Sequence, residues 1–194
     1  MTDTRGHQRG FSLLELMITL SVAAILLVIA VPSFRDLMHR NQVSAASNEL
    51  LASVAYARTE AITRGQLVSM CPSTDNGATC AGGTTFESGW IVYTYPAGAA
   101  SVGKDYDSAK SILLRTTTAR AGVSVRAKSS TVITFGQQGQ LKPTTPLVFA
   151  TCYRGSSTGV GESTGTVPGT QLDVNGSGSV TSKSLAAGAS CTPS

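Results

Sequence analysis

The chain has 194 residues, a formal net charge of +4, and only 13% charged residues. Glycine occurs 20 times, and Ser and Thr are also abundant. This composition argues against a disordered chain and against an all-helical one. It fits a single secreted, β-rich domain that is large enough for one hydrophobic core.

The first predicted element is a long apolar helix. From Phe11 to Val31 the only ionisable side chain is that of Glu15. As a helix this run reaches roughly 31 Å, which is enough to cross a bilayer core of about 30 Å. A carboxylate is costly in lipid unless it has a partner. A cut after Gly10 would supply one, because the new Phe11 amine would lie one helical turn from Glu15 on the same face, in this chain or a neighbouring one.

These residues read Gly-Phe-Ser-Leu-Leu-Glu-Leu-Met over positions 10–17. The stretch resembles the processing and assembly motif of type IV pilins and type II secretion pseudopilins. The resemblance implies that residues 1–10 are a leader, that a prepilin peptidase cuts after Gly10, and that it methylates Phe11. It also implies that Glu15 guides the subunit from the inner membrane into a helical filament.

Two other readings of the same segment are a plain signal anchor and a secretory signal cut after Ala30. An anchor needs no glutamate at this depth. A secretory signal has a shorter apolar region of about 7–15 residues, and Pro32 would then lie just past the cut. The filament motif therefore explains more of the segment than either alternative.

The basic residues on the two sides of the apolar run are equal in number, so they do not indicate the orientation of the helix in the membrane. The four cysteines indicate instead which side the rest of the chain faces. Their spacing fits two disulfides better than a metal site, with free thiols as the alternative. Three pairings are possible. Cys71 and Cys80 flank a turn-rich loop that a local bridge would close, which would leave Cys152 and Cys191 to tether the C-terminal tail. We therefore expect residues 65–194 to form a head in an oxidising space, the periplasm.

The helix is predicted to continue after Pro32, where it should kink or melt locally because a backbone hydrogen bond is lost. Its second half is amphipathic, with one apolar stripe that we expect to pack on the protein's own sheet. The stripe comprises Val43, Ala46, Leu50, Val54, Ala57 and Ala61. A favourable Glu60–Arg64 pair and Gly65 place the helix end near residue 64, so the helix spans about 11–64.

The remainder is predicted to form short strands between Gly, Ser and Pro breaks, giving an α+β fold with the long helix packed on antiparallel sheet. The last two strands would form a hairpin. Residues 155–170 are expected to form a mobile surface loop. The predicted strands are 67–71, 90–95, 112–116, 123–127, 132–135, 147–153, 172–174 and 180–182.

The segment Tyr-Ala-Arg-Thr-Glu-Ala-Ile at 56–62, with Cys-Pro-Ser at 71–73, narrows the resemblance to the GspH/FimT family. The family resemblance extends more loosely to 133–135, Gly139 and 149–152. It implies a minor pilin that joins other pilins in the priming or tip complex of a type IV pilus. A minor pseudopilin of a type II secretion system is the closest alternative.

A second alternative is a minor pilin that binds DNA during uptake. Residues 100–160 are strongly basic, and a basic face attracts nucleic-acid phosphate. Some FimT-type pilins bind DNA through a Gly-Arg-x-Arg tail, whereas the corresponding region here has one lysine and no arginine, which weakens this reading. The candidate residues are Arg126, Lys128, Lys142, Arg154 and Lys183.

The sequence supplies little for catalysis, metals or cofactors. The two histidines are His7, in the leader, and His39, beside the membrane. The Asp173-x-Asn175-x-Ser177-Gly178 pattern resembles half of a calcium loop, but Ser184 stands where a bidentate glutamate is needed. We therefore expect no enzyme, no metal site and no cofactor.

Overall fold

The computed structural model describes residues 11–75, 77, 79–118, 120–129, 132–155 and 159–193. Within them the chain forms one long helix, α1 (Leu13–Arg64), followed by nine β-strands. The chain divides into two compact units, one up to Met38 and one from His39 onward. The second unit contains the whole head together with the C-terminal half of α1.

The N-terminal half of α1 is an exposed apolar helix. Ser12 caps it, because the Glu15 backbone N–H donates to the Ser12 hydroxyl at 3.2 Å. This part of the helix is long and apolar enough to cross a membrane, and its side chains are exposed among the described residues. The helix continues through Pro32 without interruption, so the expected local melting there is wrong.

The C-terminal half of α1 packs through the predicted stripe. All six stripe residues are buried, which confirms the amphipathic pattern, and Ser47 and Ser53 are buried beside them. The helix ends at Arg64, whose side chain pairs with Glu60 at 2.5 Å. Gly65 follows with a φ of 60°, a left-handed conformation that suits glycine at a helix end.

Nine strands form two antiparallel sheets. The first sheet has the order β3-β2-β1-β5-β6 and the second has the order β4-β7-β8-β9. The strands are β1 (Leu67–Pro72), β2 (Gly89–Tyr95), β3 (Leu113–Thr118), β4 (Val123–Ala127), β5 (Ile133–Phe135), β6 (Leu141–Lys142), β7 (Leu147–Tyr153), β8 (Thr170–Val174) and β9 (Val180–Ser184). All eight predicted strands are present, and β6 is an additional one. The β8–β9 hairpin is confirmed as well.

Both sheets share one core with the C-terminal half of α1. Leu50 and Val54 of the helix belong to the same buried cluster as Met70 of β1 and Phe149 of β7. The connection between β1 and β2 also joins the sheets, because the Phe86 N–H donates to the Val125 carbonyl of β4 at 2.8 Å. The second unit is therefore a helix packed on antiparallel sheet, as the α+β prediction stated.

The C-terminal tail covers the other face of the second sheet. Ala150 and Cys152 of β7 form a small cluster with Leu185 and Cys191. In the segment expected to be a mobile surface loop, Ser163 and Val167 are buried. The Gly169 N–H also donates to the Ser163 hydroxyl at 3.0 Å. The described part of that segment, 159–169, contains no helix or strand and is mostly exposed, so it is a surface loop as predicted, and these buried residues anchor it to the head.

Two disulfides fasten the head. Cys71 is joined to Cys80, with Cα atoms 5.6 Å apart, and Cys152 is joined to Cys191, with Cα atoms 6.0 Å apart. The first closes the turn-rich loop after β1. The second holds the tail against β7. Of the three possible pairings, the structure has the one with a local Cys71–Cys80 bridge.

The second disulfide should contribute more to stability than the first. It closes 39 residues rather than 9. The loss of loop-closure entropy in the unfolded chain then stabilises the fold by about 4 kcal/mol for Cys152–Cys191 and by about 2.5–3 kcal/mol for Cys71–Cys80. Urea unfolding of the detergent-solubilised chain should show a larger loss for the Cys152→Ser, Cys191→Ser double variant than for Cys71→Ser, Cys80→Ser. An equal or reversed order would contradict this expectation.

Candidate functional site: the N-terminal helix and the basic residues of the head

Glu15 lies in the first turn of α1 and is exposed, as are the apolar side chains around it. Phe11 is 79% exposed and Leu14 is 69% exposed. In the part of the chain that the structure describes, no Lys, Arg or His side chain pairs with the Glu15 carboxylate. The predicted cut site at Gly10 lies outside the described residues. The helix thus presents one charge on an apolar surface that is itself uncovered.

Arg126 and Arg154 meet around a single carboxylate, that of Glu87. The Arg126 Nε donates to Glu87 Oε1 at 2.9 Å, and the Arg154 Nη1 donates to Glu87 Oε2 at 2.5 Å. The Ser124 hydroxyl donates to the same carboxylate at 2.7 Å. Side-chain exposure is only 13% for Glu87 and 15% for Arg154. Both arginines are therefore committed to a half-buried ion-pair network.

The three candidate lysines lie at separate places. Lys128 directly follows β4, at one edge of the second sheet, and Lys183 lies on β9, at the opposite edge. Lys142 belongs to β6, in the other sheet. Lys183 pairs with Asp173 at 3.0 Å. Burial opposes ionisation of Asp173, but hydrogen bonds from Gln171 and Lys183 outweigh it and hold the pKa of Asp173 below its usual value.

The five candidate cations are consequently not gathered into one free basic face, and three of them are ion-paired. Electrophoretic mobility of a short DNA duplex, measured with the detergent-solubilised chain across a salt series, should show no complex at about 150 mM salt. A complex that persists at that salt and is lost in Arg126→Gln or Lys142→Gln would contradict this. The Glu49→Gln variant is a matched control. It releases Arg120, which pairs with Glu49 at 2.7 Å, and so adds a free cation without changing the five candidate residues.

Arg58, in the C-terminal half of α1, is a residue that the sequence did not single out as functional. Its Nε is buried and has no hydrogen-bond partner within the described residues. A Cβ placed on Gly139 would lie 3.0 Å from that atom, and one on Gly178 would lie 3.3 Å from it. Arg58 thus passes between the β5–β6 turn and the β8–β9 turn. The sequence places Arg58 in the family segment at 56–62, but only the fold shows which residues it contacts.

The calcium-like pattern forms the tip of the β8–β9 hairpin. Asn175 Oδ1 accepts hydrogen bonds from the Ser177 hydroxyl at 2.7 Å and from the Ser179 N–H at 3.0 Å. The Asn175 side chain thus folds onto its own turn. Among the described residues no group of three or more His, Cys, Asp or Glu side chains is arranged to hold a metal ion.

Comparisons with known proteins agree with this architecture. A fimbrial protein of Pseudomonas aeruginosa is 35% identical over 68 residues, which cover 35% of this chain and 44% of the relative. The type IV major alpha-pilin of Moraxella bovis is 42% identical over 45 residues, covering 23% of this chain and 28% of that protein. The chain thus aligns with less than half the length of these relatives.

The crystal structure of the Pseudomonas aeruginosa type IV minor pilin FimU superimposes on this chain with a TM-score of 0.53. The match covers 76% of this chain and 96% of FimU at 22% identity, and it shows a shared fold. The prokaryotic N-terminal methylation motif matches residues 5–31. The model of the type II transport protein GspH matches residues 46–178, more than half of the chain, and the chain therefore belongs to the GspH family of pilin-like proteins.

Proposed function

We propose that the protein is a minor pilin that assembles with other pilins into a type IV pilus. The observation that carries the proposal is the exposed apolar helix with Glu15 in its first turn, which lies within the segment 5–31 that matches the methylation motif. Such a helix needs either lipid or neighbouring helices around it. A filament core of packed subunit helices supplies the second environment.

Glu15 gives the assembly step its direction. A carboxylate inside an apolar environment is stabilised by a cation placed close to it. Removal of residues 1–10 creates an amine at Phe11, four residues before Glu15 and two residues before the start of α1. Because a subunit entering a filament brings its own amine and its own carboxylate, each Glu15 can pair with the amine of a neighbouring subunit.

The proposed division of the chain follows from this. Residues 1–10 form a leader that a prepilin peptidase removes, residues 11–64 contain α1 with the membrane-spanning part at 11–31, and residues 65–194 form the head. The two disulfides support a periplasmic position of the head before assembly, because disulfides persist in oxidising compartments. The head would then make lateral contacts in the priming or tip complex, with no catalytic role.

Intact mass of the purified native protein tests processing. We expect a mature chain that begins at Phe11, carries one added methyl group, and is four hydrogens lighter than its reduced form because of the two disulfides. Reduction of the same sample is the internal control. A chain that retains residues 1–10, or one that begins after Ala30, would contradict the proposal.

A minor pseudopilin of a type II secretion system would use the same helix and the same carboxylate. The family match supports this alternative, because the family takes its description from type II transport. Deletion of the protein separates the two possibilities. Loss of surface pili with secretion intact supports the pilus, whereas loss of secretion with pili intact supports the secretion system.

A further inference from the structure

A pocket of about 400 Å³ opens on the head next to the junction of α1 and β1. Its apolar lining includes Leu67 of β1, which is buried, and Val102, which is half-buried. The β5–β6 turn contributes Gln137 and Gln140, and β6 contributes Lys142. The volume lies within the range of about 300–1,000 Å³ that is usual for ligand sites. Neither the filament motif nor the ion-paired arginines involve this pocket.

Two glutamine side chains of the pocket are held in defined orientations. The Gln137 Nε2 donates to the Gly65 carbonyl at 2.6 Å. This bond fixes the orientation of the amide and leaves the Gln137 Oε1 available as an acceptor. The Gln140 Oε1 accepts the backbone N–H of Gln138 at 3.1 Å, and its Nε2 donor makes no hydrogen bond among the described residues. The pocket lining thus offers one hydrogen-bond acceptor and one donor that the turn itself does not use.

Lys142 adds a positive charge beside these amides. It is the one charged residue lining the pocket within the described chain, and no ion pair involves it there. A Cβ on Gly136 would lie 3.0 Å from Lys142 Cε and 3.1 Å from Gln140 Cδ. The absent side chain of Gly136 therefore lets the lysine and the Gln140 amide lie side by side.

We propose that this pocket binds the C-terminal carboxylate of a peptide whose last side chain is small and apolar. Lys142 and the Gln140 Nε2 would hold the carboxylate, as a cation and a neutral donor commonly do. The Gln137 Oε1 would accept a peptide N–H, and Leu67 and Val102 would contact the apolar side chain. No aromatic side chain lines the described pocket to stack on a sugar ring, which favours a peptide over a sugar acid as the source of the carboxylate.

Fluorescence anisotropy of a labelled Gly-Gly-Val peptide with a free C-terminus, titrated with the detergent-solubilised full chain, tests the proposal. We expect saturable binding, at least about tenfold weaker binding of the C-terminally amidated peptide, and a similar loss in Lys142→Met. Lys128→Met removes an exposed lysine from the other sheet and should bind like the unmodified protein. Thermal unfolding of both variants checks that each is folded.

Equal binding of the acid and amide peptides would overturn the proposal, as would full binding by a folded Lys142→Met variant or no saturable binding. Galacturonate is the competing probe. Galacturonate is a sugar acid, and galactose is its neutral analogue. Displacement of the peptide by galacturonate but not by galactose would support recognition of the carboxylate. Galacturonate binding without any peptide binding would overturn the peptide assignment. The binding does not depend on the proposed pilus role, so a failure of filament assembly would leave this result unaffected.

Discussion

The Glu15→Ala variant is expected to be cut and methylated normally but to enter filaments at about a tenth of the usual level or less. The peptidase acts at Gly10 and Phe11, which this change leaves intact. Assembly loses the one carboxylate of the apolar surface, so the amine of the adjoining subunit would be buried without its partner. An unpaired charge in an apolar environment costs several kcal/mol, enough to prevent most insertions.

Immunoblots of sheared surface filaments and of membranes from the same cells measure this effect. The variant should accumulate in the membrane as mature protein and be scarce in the filaments. Glu60→Ala is the matched control, because Glu60 is also on α1 but pairs with Arg64 at the C-terminal end of the same helix. It should assemble normally. Normal filament entry of Glu15→Ala, in a strain that depends on this protein, would exclude a charge-pairing role.

The Gly178→Ala variant is expected to lose about 2–4 kcal/mol of unfolding free energy. Gly178 has a φ of 81°, and a Cβ there would collide with the Gly139 carbonyl oxygen. The clash is with backbone, so the β5–β6 and β8–β9 turns would have to separate. That movement would also remove the packing around Arg58.

Gly188→Ala isolates the steric part of this effect. Gly188 has the same φ of 81°, but a Cβ there would have nothing within 4 Å. Only the backbone strain remains, and it should cost about 1 kcal/mol. Urea unfolding of the full chain compares the two variants directly. Equal losses in both would show that the two turns do not depend on close contact at Gly178.

Patterns within one segment predicted most of the fold. The stripe on α1 repeats at helical spacing, and each of its residues is buried. Val123–Ala127 alternates so that Val123, Val125 and Ala127 enter the core while Arg126 points away from it. The strand β6 was missed because two residues carry no detectable alternation; it forms only because β5 lies beside it.

The electrostatics of the head could not be predicted in the same way. Glu87 lies 39 residues from Arg126 and 67 residues from Arg154 in the chain. No local pattern indicates that these three side chains meet, so counting charges between residues 100 and 160 overstated the free basic surface. The anchoring of the loop at 159–169 could not be predicted for a related reason. Its small polar residues are typical of loops, and the hydrogen bonds that hold it reach distant residues, such as the bond from the Ser163 N–H to the Ala189 carbonyl.

The Cys152–Cys191 bond also has a mechanical consequence. Strands β8 and β9 lie wholly between the two cysteines. A force that peels these strands from β7 can therefore unravel them only within a closed ring. The bond withholds 39 residues from extension, or roughly 130 Å of contour at about 3.4 Å per residue. A subunit under tension would thus remain short and covalently continuous even if half of its second sheet came apart.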